Sequence, residues 1–383
     1  MNQGYEGVYI VGYGQTPYEK KTTKTIQRLF WEVIQESLRT SGLPFRAIDG
    51  LAVTAFSLYP ENVTTLAEHL GLECRWVCQV TGSAAPISTM LHAARAIQAG
   101  DAEVIACAAA DTFNVGSHME MRRTAGQDVY MGPWGYGRAN GVFALHTHLY
   151  MERFGAQRED FGRLAVSQRQ NALLNPNAIF KVPLTMEEYL NARVIADPLH
   201  LYDCVLPCCG GDAVLLASEK VASTLPGPKI AILGGGEIHN TPRDDIFDLH
   251  APFERIRARM YSQSGCGPKD MQFAQLYDDY PVIMFSQLEG YGICKTGEAK
   301  KWIRENDTTV RGNFPVNTGG GQLSAGQCGA GGGMMGVVEA VIQLRGEAGA
   351  RQFRCERGLV GGYGMVAYGR GLSASAAILA RSK

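Results

Sequence analysis

The sequence carries no excess of either charge and no long apolar run. Its 383 residues include 36 Lys and Arg against 37 Asp and Glu, and charged residues make up 19% of the chain. A near-neutral chain with scattered Lys and Arg offers no basic face for nucleic acid or anionic lipid. No apolar stretch reaches the ~18 residues of a membrane-spanning helix, and the first residues lack the apolar core of a secretion signal. These absences predict a cytoplasmic protein without nucleic-acid or membrane partners.

Cysteine is sparse too, with ten residues in 383. Such a low density excludes a disulfide scaffold, and thiols inside apolar runs, such as Cys107, are expected to be reduced core residues. Cys204, Cys208 and Cys209 form the densest group, with His200 nearby. Structural zinc needs a second Cys/His pair at a comparable spacing, and none follows. We therefore expect no metal site.

Length and turn residues indicate two halves. A chain of this length exceeds the roughly 100–200 residues of most domains. The stretch at residues 225–229, LPGPK, is the clearest boundary, because two prolines and a glycine separate two strand-like runs. The predicted halves are residues 1–225, with a loop and helical insertion at about 115–205, and residues 226–383.

Hydrophobic periodicity predicts alternating strands and helices in both halves. The predicted helices are residues 25–41, a helix after Ser83 that Gly100 ends, helical segments within 141–193, and residues 253–262, 281–290 and 328–344. The predicted strands are residues 8–13, 50–55, 104–110, 213–218, 229–236 and 273–276, and two strands between 358 and 380. Residues 117–140 break the periodicity and are expected to form a long loop, which in a compact domain usually serves function.

Two stretches carry the most informative motifs. Residues 80–92 read VTGSAAPISTMLH, with Ser83 at the turn before a helix. Residues 317–328 read NTGGGQLSAGQC and run into the predicted helix at 328–344. Both resemble reactive segments of thiolases, in which a cysteine occupies the position of Ser83 and the second segment follows the pattern N-x-x-G-G-x-x-x-x-G-H-P. Gln327 stands at the position of the histidine and Cys328 at that of the proline.

The middle of the chain resembles one branch of the thiolase superfamily. Residues 167–180, SQRQNALLNPNAIF, and residues 197–204, DPLHLYDC, are similar to the sterol-carrier-protein thiolase and lipid-transfer-protein branch. Residues 277–281, YDDYP, and residues 287–292, QLEGYG, are similar to the same branch. The resemblance extends from about Val8 to the C-terminus, and it is to the thiolase-like aldolases that cleave steroid side chains.

The resemblance implies an α/β protein with the thiolase fold, in which two βαβαβαββ halves stack as five layers, α-β-α-β-α. Strands buried on both faces have continuous apolar sequences, as residues 104–110 do. That run and the glycine-dense segments also predict a homodimer. Aldolases of this type work with a small zinc-containing OB-fold partner of the DUF35 type, so we expect such a partner here. The substrate is expected to be an acyl-CoA thioester, with no further cofactor.

The changes at Ser83 and Gln327 remove the usual thiolase nucleophile. A serine alcohol attacks only with an adjacent base, and Gln327 replaces the histidine expected to provide one. Ser83 is therefore interpreted as a small helix-capping residue that lines the pocket. Cys328, at the start of a predicted helix, is a minor candidate nucleophile that the helix dipole activates. Cys78 lies on the strand before Ser83, where its sulfur does not reach the helix end.

The backbone of the thiolase site is retained. Gly82 and Ser83, with the glycine-rich loop at residues 361–371, match the two family loops whose N–H groups bind the thioester oxygen. The resemblance thus marks these substrate-binding residues: Gly82, Asn317, Gly362, Gly364 and Arg370. An oxyanion hole without a nucleophile still stabilises an enolate, which favours retro-aldol cleavage of a β-hydroxyacyl-CoA.

The catalytic base has several candidates. The resemblance points to tyrosines, and Tyr363 and Tyr368 are the matching residues, with Arg370 nearby to lower the pKa of a phenol. Asp279, at the end of a predicted strand, is expected to lie near the substrate. Gln327 occupies the position of a family catalytic residue.

Two other functions stay open alongside the aldolase. The first is an acyltransferase that forms an acyl-enzyme through Cys328 or Ser83, and a trapped acyl-peptide would reveal it. The second is a non-catalytic subunit that binds acyl-CoA within a complex, which would show binding without turnover.

Overall fold

The computed structural model describes residues 4–82, 84–112, 126–135, 138–241, 249–367 and 370–382. Its strands are β1 (Val8–Gln15), β2 (Gly50–Thr54), β3 (Trp76–Gln79), β4 (Val104–Thr112), β5 (Val194–Ala196), β6 (Leu199–His200), β7 (Cys209–Ser218), β8 (Ile230–His239), β9 (Ala274–Gln275), β10 (Arg357–Ala367) and β11 (Arg370–Arg381). Its helices are α1 (Ile26–Ser41), α2 (Val63–Leu70), α3 (Ala85–Ala99), α4 (Gly126–Met131), α5 (Arg138–Phe154), α6 (Arg158–Leu173), α7 (Met186–Leu190), α8 (Glu219–Ala222), α9 (Ala251–Ser264), α10 (Pro281–Gly290), α11 (Ala299–Glu305), α12 (Gly321–Ala325) and α13 (Gly332–Arg345).

Nine strands form one sheet in the order β3-β2-β4-β7-β1-β8-β11-β10-β9. The two halves meet at β1 and β8, which share only the pairs Tyr9–Ala231 and Ile10–Ile230. From this junction outward, the first half has β1, β7, β4 and β2, and the second half has β8, β11, β10 and β9. In each half, these are the first, last, second-to-last and second strands of the large sheet along the chain. An isolated parallel bridge from Val316 to Ala274 lies where the first half has β3. The structure therefore contains two halves with the same strand order.

Three hydrophobic cores separate the layers. The central core contains α3 and α13 together with strand residues of both halves, such as Ile105 and Val360. An outer core packs α1 and α2 on the first half, and another packs α9 and α10 on the second. The order helix, sheet, helix, sheet, helix confirms the expected five-layered arrangement.

The central helix α3 illustrates how the sequence specifies this position. It is apolar on nearly all sides, which a helix needs when sheets cover it on both faces. Pro86 lies in its first turn, where a missing N–H is tolerated, and Gly100 ends it at φ 83°. In the described ranges no helix is both long and apolar enough to cross a membrane.

Three predictions of local structure differ from the structure, the first in kind and the other two in their bounds. The loop expected at residues 117–140 contains α4 and the start of α5, with a 3₁₀ turn at Gly132–Trp134 between them. The helix expected to begin at Cys328 begins at Gly332, after a 3₁₀ turn at Gly329–Gly331. The strand expected at residues 273–276 is reduced to the two residues of β9. Glycine-rich sequence has little periodicity, which explains the first two differences.

Candidate active site

Asp279 is the centre of a hydrogen-bonded group of three side chains. It is partly exposed and lies between β9 and α10. The Tyr277 hydroxyl donates to Asp279 Oδ2 at 2.6 Å, and Gln327 Nε2 donates to Asp279 Oδ1 at 2.8 Å. Burial raises the pKa of Asp279 to about 7, with a contribution from the adjacent Asp278, although both hydrogen bonds lower it. A carboxyl group with this pKa accepts and returns a proton near neutral pH.

Gln327 is held in place by its own backbone. Its N–H donates to Leu206 O at 2.9 Å, and its carbonyl accepts from Cys208 N at 2.8 Å. Residues 206–208 follow the helical insertion in the chain, so the insertion side of the molecule fixes the loop that carries Gln327. Because both backbone groups of Gln327 have hydrogen-bond partners, its side-chain amide remains available to donate to Asp279.

Asp278 has a structural role. It is buried and accepts from the backbone N–H groups of Gln322 at 2.9 Å and Leu323 at 3.1 Å, which lie in the first turn of α12. Gln168 also donates to it. Burial raises the pKa of Asp278 to about 6, and these hydrogen bonds limit the rise. Asp278 therefore anchors the segment that leads to Gln327.

Asn317 anchors the same segment at its other end. Its Oδ1 accepts from Leu276 N at 2.7 Å and its Nδ2 donates to Leu276 O at 2.9 Å. Its φ of 48° is in the left-handed region, where asparagine is among the tolerated residues. Both ends of the amide contact the backbone of one residue, so the structure gives Asn317 a positioning role beneath Tyr277 and Asp279.

The two backbone segments expected to bind the thioester oxygen come together. Gly82, at φ 119°, lies in the turn before α3, and its carbonyl accepts from Ala85 N at 3.0 Å. A Cβ atom at Gly362 would lie 3.2 Å from Ala84 Cα, and Ser375 Oγ donates to Ala84 O at 2.6 Å. Strand β10 thus packs directly on the N-terminal turn of α3. Ser83 itself lies outside the described residues.

Gln287 connects this backbone pair to the Asp279 group. Its Nε2 donates to Tyr277 O at 2.7 Å, and its Oε1 accepts from Tyr277 N at 3.2 Å. The same Oε1 would be 2.5 Å from a Cβ at Gly361, so a larger residue at that position of β10 would displace the Gln287 amide from Tyr277. Gly361, Tyr277 and Asn317 line one small cavity. Strand β10 at Gly361, the segment at Tyr277 and the loop at Asn317 are therefore adjacent.

Tyr363 lies on the opposite face of β10. Successive side chains of a strand point to opposite faces, so Gly362 meets α3 while Tyr363 enters the outer core. Its ring packs against Phe253 at 5.4 Å and Phe143 at 6.4 Å between centroids, and its hydroxyl accepts from Gly371 N at 2.7 Å.

The sequence predicted that Arg370 lowers the pKa of a tyrosine base, and this prediction is wrong for Tyr363. Burial raises the pKa of Tyr363 to about 12, although the Gly371 N–H and the charge of Arg370 lower it. Arg370 is buried and acts in the expected direction, but desolvation outweighs it. Gly364 pairs with Ser373 in the β10–β11 ladder. Tyr368 lies outside the described residues.

The surroundings of Cys328 oppose a nucleophilic role. Its side chain is fully buried, and burial raises the pKa of the thiol well above its ordinary value, as do Asp212 and Cys208 nearby. It precedes a single 3₁₀ turn, so the expected activation at a helix N-terminus is wrong. Within the described parts of the chain no three His, Cys, Asp or Glu side chains are grouped to hold a metal ion.

Two members of the site were missing from the sequence prediction. Tyr277 could have been found, because residues two apart in extended chain share a face and Asp279 follows at that spacing. Gln287 gave no such signal, since its contacts depend on how α10 packs against β10.

The two stacked halves, the opposed backbone turns and the missing thiolase nucleophile define a thiolase-fold enzyme with altered chemistry. Residues 240–381 match the family described as Thiolase C-terminal domain-like. The solved structure of the Ltp2-ChsH2(DUF35) aldolase is 29% identical, with a TM-score of 0.85 over 98% of each chain. Human mitochondrial 3-ketoacyl-CoA thiolase, at 14% identity and a TM-score of 0.72 over 99% of this chain and 100% of that one, has the same fold.

Curated relatives specify the branch. A steroid side-chain-cleaving aldolase of Thermomonospora curvata is 32% identical over 88% of this chain and 90% of its own length. The 17-hydroxy-3-oxo-4-pregnene-20-carboxyl-CoA lyase of Mycobacterium tuberculosis is 31% identical over 88% and 91%. The chain belongs to this family of thiolase-like aldolases, and the resemblance inferred from its motifs is confirmed.

Proposed function

We propose that this protein catalyses retro-aldol cleavage of a β-hydroxyacyl-CoA thioester. The products are a shorter acyl-CoA and a ketone or aldehyde. The names of the two relatives support a carbon–carbon lyase, and the second of them acts on a CoA thioester. The Asp279 group is the observation that carries the proposal, because it supplies the proton acceptor that the reaction requires.

The reaction begins when Asp279 accepts the proton of the β-hydroxyl group. The new carbonyl forms as the Cα–Cβ bond breaks, and the electron pair moves to the thioester as an enolate. Backbone N–H groups of the turn at Gly82 and of the adjacent β10 segment stabilise the enolate oxygen. The proton held on Asp279 then returns to the α-carbon, so the carboxylate is regenerated. Tyr277 and Gln327 hold the carboxylate in position throughout.

The acyl group is proposed to be large and apolar. Phe143, on the insertion helix α5, stacks on Tyr280 at 4.6 Å between ring centroids. Burial and the nearby Asp279 carboxylate raise the pKa of Tyr280, so this aromatic pair lies near the proton acceptor. A steroid side chain, as named for one relative, fits this chemistry. No cofactor beyond the CoA thioester is proposed.

Two assemblies are also proposed. A small zinc-containing OB-fold protein of the DUF35 type is the proposed partner, because a structure 29% identical to this chain is an aldolase named with a DUF35 component. Two copies of this chain are also proposed to form a homodimer. A monomeric sedimentation profile at micromolar concentration, or failure to co-purify with a co-expressed DUF35 partner, would count against the respective assembly.

The decisive experiment compares Asp279→Asn with Asp101→Asn, an exposed control. Each is mixed with a β-hydroxyacyl-CoA, with and without the partner, and the free carbonyl product is measured. Loss of a general base lowers turnover by roughly 10²-fold or more. If Asp279→Asn cleaves at the wild-type rate, Asp279 is not the base. If the wild-type protein binds the thioester without turnover in either condition, the non-catalytic alternative is favoured. An acyl-peptide containing Ser83 would support the acyltransferase.

A further inference from the structure

The small cavity lined by Tyr277 and Asn317 also reaches Asp278, Gln322 and Gly332. Within it, a volume of about 20 Å³ is open to the centre of a water-sized sphere. A cavity needs roughly 10–15 Å³ of such volume to hold one water molecule. The space therefore has room for one molecule of about the size of water, and it is too small for an organic ligand.

One oxygen atom on the cavity wall has no hydrogen-bond partner among the described residues. This atom is Oε1 of Gln322, a residue that is only 2% exposed. The other end of the amide, Nε2, donates to Asp278 Oδ1 at 3.4 Å. Turning the amide over would place its oxygen against the Asp278 carboxylate, so the orientation is fixed. A buried carbonyl oxygen without a donor is unfavourable, which calls for a donor inside the cavity.

Gly332 determines where this oxygen lies. A Cβ atom at Gly332 would collide with Gln322 Oε1, so the oxygen rests against the glycine backbone at the start of α13. The same Cβ would lie 3.3 Å from Gln327 Cγ. The side chains of Gln322 and Gln327 therefore both pack on Gly332, which also forms part of the cavity wall.

The chemistry of the wall selects the ligand. Gln322 Oε1 and the Asp278 carboxylate are both acceptors, so a molecule that bridges them must donate two hydrogen bonds, as water does. A hard cation such as calcium needs six or more oxygen ligands. Met335 and the glycines of the wall contribute no side-chain oxygen, which disfavours a cation.

We propose that this cavity is a binding site for one internal water molecule. The water donates one hydrogen bond to Gln322 Oε1 and the other to the Asp278 carboxylate. Asp278 already accepts from the backbone N–H groups of Gln322 and Leu323 in the first turn of α12. The water thus completes the polar contacts of the segment that leads to Gln327. It takes no part in the proposed cleavage.

The test is a high-resolution crystal structure of the full-length protein and of two variants. In the wild type we expect one water peak at roughly 2.7–3.2 Å from Gln322 Oε1 and from the Asp278 carboxylate. Gln322→Leu removes the acceptor on the cavity wall and should lose the peak. Gln168→Leu is the matched control, because Gln168 is also buried and also donates to Asp278. Gln168 is not among the described residues that line the cavity, so this variant should retain the peak.

Magnetic relaxation dispersion of water nuclei tests the same site in solution. Gln168→Leu should retain one more long-lived internal water than Gln322→Leu, with circular dichroism to confirm that both variants fold. Equal counts in the two folded variants would overturn the proposal.

The wild-type map decides the question even where a variant does not fold. An empty cavity in that map would overturn the proposal. An anomalous peak there after the crystals are soaked in rubidium would also overturn it, because the ligand would then be a monovalent cation. Since the readout is the position of a water molecule, failure of this proposal leaves the proposed cleavage activity untouched.

Discussion

Asp278 and Asp279 are adjacent in the chain, yet their carboxyl groups face different structures. Asp278 accepts from the backbone of Gln322 and Leu323, whereas Asp279 accepts from the side chains of Tyr277 and Gln327. Adjacent residues in extended chain point to opposite sides, which separates the two roles. One carboxyl group builds the site and the other is available for chemistry.

The cleavage rate should depend on pH through Asp279. The base must be deprotonated, and the pKa of Asp279 is raised to about 7, so kcat/KM is expected to increase as pH rises through about 7. Asp279→Asn should remove this limb of the profile together with most of the activity. An unchanged limb in the variant would assign the titration to another group.

The two hydrogen-bond donors to Asp279 should set the pH at which the cleavage rate increases. Tyr277→Phe and Gln327→Leu each remove a hydrogen bond that lowers the pKa of Asp279. We expect the limb to move to higher pH by on the order of one unit, from the usual strength of a hydrogen bond to a carboxylate. Tyr59→Phe changes an exposed tyrosine and serves as the control. A uniform loss of rate without a shift would indicate a purely structural role.

Asp278→Ala should reduce stability. The change leaves two N–H groups of α12 without their acceptor, and an unsatisfied buried donor costs roughly 1–3 kcal/mol. Asp101→Ala, on the surface, should stay within about 0.5 kcal/mol of the wild type. Urea unfolding monitored by circular dichroism measures both. Equal midpoints would show that the α12 segment does not depend on Asp278.

Tyr363→Phe separates the packing role from the proposed tyrosine base. The Gly371 N–H loses its acceptor in a buried position, so we expect a loss of about 1–3 kcal/mol in unfolding free energy. Turnover of the folded variant should remain close to that of the wild type. A fall of about 10²-fold at unchanged stability would instead restore Tyr363 as the base.

Stability should fall as pH rises from mildly acidic to neutral. Burial raises the pKa of Asp111 and Asp278 to about 6 and of Asp212 and Asp279 to about 7. Between the unfolded value of about 4 and these values the folded state binds more protons than the unfolded state, so its stability decreases with pH. The unfolding midpoint should therefore be higher near pH 5 than near pH 8. Asp212→Asn should reduce the difference.

The elements that periodicity defines were predictable from the sequence. Helix α10 was predicted at its observed bounds and α1 within one residue, because apolar spacing and end signals are local properties. Helix α2 was not predicted. It spans only eight residues, fewer than the roughly 11–18 residues over which helical periodicity becomes visible.

The candidate site was only partly predictable. Motifs pointed to Gly82, Gly362, Asp279 and Gln327 as site residues, but they do not say which face of a strand a side chain occupies. Tyr363 failed for this reason, since it is one residue from Gly362 and therefore points the other way. The charge state of a buried group also depends on atoms from distant segments, so neither the pKa of Asp279 nor that of Tyr363 followed from the sequence.

The central layer has a consequence for how the chain can be divided. Helix α3 belongs to the first half and α13 to the second, yet each is covered on both faces by strands from both halves. Either half alone would expose one side of its central helix, and the two residue pairs between β1 and β8 could not compensate. The halves are thus structural repeats that fold as one cooperative unit. Cleavage at the proline-rich connection near residue 226 should leave them associated, whereas fragments synthesised separately should be insoluble.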